Sequence, residues 1–164
     1  MKIFFFLFLL PIITIAQTAC NGTLGDYFYS LEKLAMVTQN KDIKIKSIDG
    51  SFYYYRPCYP LINEYCQLIV DDKPATCMKD TRKIPQFHSC GSTQNVTWSS
   101  RNSGNETGFI IKFIGGEEDR MTNIEFICDE TFGIGSLQLK DPVEKPKFFY
   151  HFYWRSSYVC PINK

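Results

Sequence analysis

IKIKSI (43–48), SFYYY (51–55), GFIIKFI (108–114), IEFIC (124–128), SLQL (136–139) and FFYHFYWR (148–155) are short runs of alternating or continuous apolar character. Each is closed by turn residues, among them Asp49-Gly50 and Gly115-Gly116. YCQLIV (65–70) reads the same way until DDKPA breaks it. Runs this short, punctuated this often, cannot supply long helices; they predict strands, and YSLEKLAMV (29–37) is the one stretch with a helical reading. The expected fold is all-β, a sandwich or flattened barrel. In the last run, side chains alternate between faces, so Tyr150, Phe152 and Trp154 share one face and His151, Tyr153 and Arg155 the other. The first face is a core face, with the Tyr150 hydroxyl expected to reach out from the strand's start.

The compartment follows from the N-terminus. Met1-Lys2 precede IFFFLFLLPIITIA, an apolar run that ends on small residues, as a secretory signal peptide does, with cleavage expected near Ala16 or Ala19. The run is short for a membrane span, which needs about 20 residues. Residues 1–19 are therefore read as signal peptide and mature N-terminus, and 20–164 as a single domain in the secretory lumen, between endoplasmic reticulum and lysosome, or outside the cell, with no membrane span after cleavage. Seven cysteines suit an oxidising lumen, and Asn21, Asn95 and Asn105 each open an N-x-Thr sequon. A net charge of +1 gives no electrostatic case for nucleic acid.

Enzyme signatures are absent: no GxSxG, HExxH, P-loop or dinucleotide fingerprint occurs, and neither an enzyme nor a cofactor is expected. Cys66, Cys77, Cys128 and Cys160 are better read as disulfide partners than as nucleophiles in such a compartment. His88 has no matching acid motif in sequence, and His151 reads as a surface or edge residue. Glu117, Glu118 and Asp119 follow two glycines; they form either a metal cluster or a solvated turn, and the turn is preferred, so no metal is expected.

The order YSLEKL, FYYYRPC, CQLIVDDKPATC, GFIIKFIGGEEDRMTNIEFIC, YHFYWRSSYVC resembles a mannose 6-phosphate receptor homology (MRH) domain, most nearly one repeat of the cation-independent receptor. The likeness runs along nearly all of the chain after the leader, and its last two blocks carry it. It implies a flattened β-barrel of two crossed antiparallel sheets, stapled by Cys20–Cys58, Cys66–Cys77 and Cys128–Cys160. Each such bridge contributes about 2–4 kcal/mol. Cys90 is left over, either as a buried free thiol or as the anchor of an inter-chain bridge.

The resemblance also implies a lectin for mannose-type N-glycans, phosphomannosyl ones included, with mannose-bearing glycoproteins as partners. The family's sugar site combines Gln, Arg, Glu and Tyr, which match the paired donors and acceptors of vicinal sugar hydroxyls. Arg120, Glu144 and Tyr150 occupy three of those positions. The fourth holds Met78, whose thioether is a poor hydrogen-bonding group; Gln67 and Gln86 are the substitutes within reach in sequence. A missing polar partner costs about 1–3 kcal/mol, so the alternative is an interaction module that keeps the fold with a degenerate sugar site.

Overall fold

The computed structural model describes residues 18–162, apart from 69–72, 83, 102–106 and 145. Residues 1–17, where a leader is expected, and the Asn105 sequon lie outside the described residues. Eleven strands form three sheets. A small hairpin pairs β1 (Asn21–Leu24) with β2 (Tyr27–Ser30). A four-stranded antiparallel sheet has the order β3 (Ile43–Lys46), β4 (Phe52–Tyr55), β5 (Pro74–Asp80), β6 (Gln86–Ser92). A five-stranded sheet has the order β10 (Leu137–Glu144), β11 (Phe149–Ser156), β9 (Met121–Cys128), β8 (Gly108–Phe113), β7 (Val96–Ser100).

The two larger sheets face each other as a disulfide-stapled sandwich rather than a closed barrel. Tyr53 and Tyr55 of β4 meet the buried face of β11: Tyr53 lies 5.7 Å from Tyr150 and 5.4 Å from Phe152, and Tyr55 lies 6.5 Å from Trp154, ring centre to ring centre. Phe109, Ile111, Phe113, Ile124 and Phe126 complete the apolar layer from β8 and β9. Such tilted aromatic pairs add to the burial of large rings. One polar tie crosses the layer. The Thr122 hydroxyl donates to the Cys90 carbonyl (2.9 Å) and lies 3.0 Å from the Thr76 hydroxyl.

One pair departs from the expected antiparallel pattern. β11 lies between β9 and β10 and runs parallel to β9, from Phe149↔Met121 to Ser156↔Cys128. The chain leaves β9 at Cys128, runs along the sheet edge as β10, and returns into the slot between them. The Cys128–Cys160 bridge ties β9 to the segment just beyond β11.

Two local expectations change. Residues 65–68 are not a strand: helix α2 (Glu64–Gln67) forms there, following α1 (Glu32–Val37) in chain order. The Asn63 side chain accepts from the Tyr65 and Cys66 backbone N–H groups, which caps the first turn. Residues 69 and 70 lie outside the described residues. The predicted helix over 29–37 is shorter, because Tyr29 and Ser30 are drawn into β2. Disulfides join Cys20–Cys58 and Cys66–Cys77 as well, and the Cys66 bridge pins α2 to the outer face of β5. Among the described residues no helix is long and apolar enough to cross a membrane.

Candidate functional site

Alternation along β5 and β11 puts Met78 and Tyr150 on inward faces, and both are almost fully covered, at 3% and 1% exposure. Met78 pairs with Tyr53 on one side and His88 on the other. Arg120 enters from the end of β8. Gly115 turns the chain with φ +81°, a conformation that favours glycine. A Cβ on Gly116 would sit 2.7 Å from the Arg120 carbonyl, which accepts from the Gly116 N–H at 2.9 Å. The glycine pair therefore fixes where Arg120 leaves the short 3₁₀ turn Glu117–Asp119. Glu144 ends β10 and pairs with Tyr150 across a register shift.

These residues converge. Arg120, Glu144, Tyr150 and Met78 line one open cleft of about 370 Å³, together with Asp80, Arg82, Lys147 and Phe148. Arg120 is 5% exposed as a residue. One terminal nitrogen of its guanidinium donates to the Glu117 carbonyl (3.1 Å) and to Glu118 Oε2 (2.7 Å). Its Nε is buried with no partner. The hydrogen bond from Arg120 holds the Glu118 carboxyl below its ordinary range. Burial raises the Tyr150 phenol well above its usual value, helped by Cys90 and Glu144 and opposed by the neighbouring Arg120; it stays a neutral hydroxyl.

Phe148 is the element missing from the sequence reading. Its ring lies over the Arg120 guanidinium, 4.2 Å from Cζ to ring centre. Its backbone is left-handed, φ +66°, which costs a bulky residue energy. Glu144 Oε1 accepts from its N–H at 2.7 Å and holds the turn. These cleft residues are thus partly engaged by the chain itself: Glu118, Phe148 and the Tyr150 hydroxyl on Arg120, and the Phe148 amide on Glu144. Tyr150, whose hydroxyl was expected to emerge from the core, is 1% exposed and bonds to Arg120.

Asp80 and Arg82 were also missed. Asp80 follows Met78 on the same face of β5, and Arg82 grips it through two side-chain bonds of 3.0 and 2.7 Å. That grip holds the Asp80 carboxyl down to about 2. Arg82 and Lys147 bring two further cations to the rim. The proposed substitutes for the missing glutamine do not enter the cleft. Gln67 donates to the Leu61 carbonyl (2.8 Å) from α2, on the outer side of the sheet. Gln86 lines the adjoining groove with Asp80, Arg82 and Ile84.

His88 gains the acid that its sequence neighbours lack, because its Nδ1 lies 2.7 Å from Glu117 Oε2. With Glu118 on Arg120, two of the three acids of the turn are engaged by side chains, and no cluster of three metal-binding groups exists among the described residues. Cys90 is free and 1% exposed, its thiol directed at the His88 carbonyl. Burial pushes that thiol far above its normal value. An inter-chain bridge would need the sheets to part.

Solved structures share this fold. Domain 11 of the echidna mannose 6-phosphate/IGF2R receptor superposes with a TM-score of 0.61 at 17% identity, covering 92% of this chain and all of that one. The chain adopts the MRH fold. Chicken IGF2R domain 11 gives 0.58 at 14% identity, over 86% of this chain and 90% of that domain. No family model matches the chain, and no curated protein matches it in sequence. At such identities the MRH likeness is one of fold, and the residues of the cleft must be argued on their own geometry.

Proposed function

We propose that this MRH-fold chain is a lectin-like protein of the secretory lumen or cell exterior. It recognises mannose-type N-glycans, phosphomannosyl ones included, through Arg120, Glu144 and Tyr150. One observation carries the reading: three polar residues from separate elements line a single open cleft, and one of them, Arg120, keeps a buried and unpaired Nε. A sugar hydroxyl would supply the acceptor this nitrogen lacks once the Phe148 ring is displaced. Lys147 in the lining adds a cation for a phosphate on the sugar, while Arg82 is already paired with Asp80. Met78 at the floor offers apolar contact in place of the family's amide, so the site relies on three polar groups.

A second reading has its own support. The Phe148 cover and the buried Met78 also suit an interaction module that keeps the fold without the sugar. A glycan array with the secreted chain, beside Arg120→Ala and Phe148→Gly, separates the two. Binding to mannose-terminated glycans that disappears in Arg120→Ala is expected. Silence from both the wild type and Phe148→Gly, on folded and disulfide-intact samples, refutes the lectin reading.

A further inference from the structure

The outward face of the β3–β6 sheet carries a row with no role in the cleft. Register places Lys46 opposite Phe52, Phe52 opposite Lys79, and Lys79 opposite Phe87. The row therefore crosses all four strands as cation, ring, cation, ring, over roughly 14 Å at about 4.8 Å per strand. Tyr65 of α2 extends it by stacking on Phe87, centroids 5.1 Å apart and planes 15° apart. Lys44, one step along β3 on the same face, lies 4.1 Å from the Phe52 ring centre, and Lys79 lies 5.3 Å from that of Phe87. Lys44, Lys46 and Lys79 pair with no carboxylate among the described residues. The two outward rows, Lys46-Phe52-Lys79-Phe87 and Lys44-Tyr54-Cys77-Ser89, contain no acid.

We infer that this face docks a sulfated polysaccharide. Three uncompensated ammonium groups at sheet spacing complement a repeating anion. The half-buried rings between them present flat faces against which the apolar C–H side of a pyranose can lie. The Lys46-Phe52-Lys79-Phe87 row stays partly exposed beside α2, which covers Tyr54 and Cys77 of the neighbouring row; a row that crosses strand after strand suits a linear polymer and not a small ligand, which needs a concave pocket. With a net charge of only +1 on the whole chain, retention on a polyanion must come from a local patch. This inference stands apart from the cleft, whose residues point into the other side of β5.

The test applies the full secreted chain to immobilised heparin at about 0.15 M salt. Retention is expected. Lys44→Gln/Lys46→Gln/Lys79→Gln should weaken binding to a heparin oligosaccharide roughly tenfold or more, as three exposed charge contacts imply. Lys33→Gln/Lys112→Gln, on α1 and on the outward face of the five-stranded sheet, should leave it unchanged. Desulfated heparin should not bind, and free mannose 6-phosphate should not elute the chain, which keeps this result distinct from the cleft. Flow-through of the wild type overturns the inference, as does unchanged retention of the triple variant with an intact far-UV spectrum. Equal retention on polyglutamate would overturn it too and assign the face to acidic polypeptides. Binding to phosphatidylserine vesicles without heparin binding would overturn it in favour of membranes.

Discussion

Phe148→Gly tests how the cleft is closed. Two terms act at this residue. The ring over Arg120 gives a cation–π contact worth about 1–2 kcal/mol in a half-desolvated setting. Against it stands the left-handed backbone, φ +66°, which costs a non-glycine residue about 1–2 kcal/mol. Glycine adopts that conformation freely, and the Glu144 bond to the residue 148 N–H is a backbone bond that survives. The loop should therefore hold its shape while the cover is lost. A ligand would no longer need to displace the ring, so mannose 6-phosphate affinity, measured by calorimetry, should rise about 5- to 30-fold. Thermal stability should fall less than in Phe148→Ala, which loses the ring and keeps the strain. Weaker binding in Phe148→Gly would refute the reasoning and make Phe148 a wall of the sugar site. A larger stability loss in glycine than in alanine would refute the backbone argument.

Three further outcomes follow from groups on the page. Cys90 should resist a water-soluble thiol reagent until denaturant opens the sandwich, and non-reducing gels should show a monomer; rapid labelling of the native chain would contradict its burial. Expressed through a secretory host, the chain should carry a glycan at Asn95, which is exposed on the turn between β6 and β7. Asn21 should remain bare, because its amide is held by Glu32 (3.3 Å) and Gly22 is packed against Trp98; peptide mass mapping reads both sites. The Asp80–Arg82 pair should lend stability at every pH above about 4 and lose it as pH falls toward about 2, since the folded carboxyl is depressed below its unfolded value. Asp80→Asn should flatten that acid limb of a melting-temperature profile, and an unaltered limb would place the titration elsewhere.

The strands that could be read from sequence are those with one covered face. β11 alternates buried and half-buried without a break, and so does β8, so period two is visible in the residues. β5 was missed because it has two covered faces: the core lies on one side and α2, bridged through Cys66–Cys77, on the other. Five consecutive buried residues, Pro74 to Met78, leave no alternation to find. β7 was missed for the opposite reason. It is an edge strand with Trp98 as its single buried residue. The strand expected over 65–70 gives way to helix at 65–67; YCQLIV is β-prone in composition, while the Asn63 cap that starts a helix lies outside the window.

The cleft divides along the same physical line. Arg120, Glu144 and Tyr150 were legible only through the resemblance, since nothing in their spacing brings 120, 144 and 150 together. Their meeting depends on β11 entering between β9 and β10, a long-range event with no local signature. Asp80 was within reach of simple alternation from Met78, but only once β5 is recognised. Phe148 was beyond reach, because a left-handed phenylalanine is disfavoured and no sequence rule proposes it. A strained residue persists where its surroundings over-determine it. Here those surroundings are the Glu144 carboxylate on its amide and the Arg120 guanidinium beneath its ring, two of the three groups proposed to hold a sugar. Ligand and cover therefore compete for the same partners, so a glycan that binds must release the strain at Phe148 as it displaces the ring.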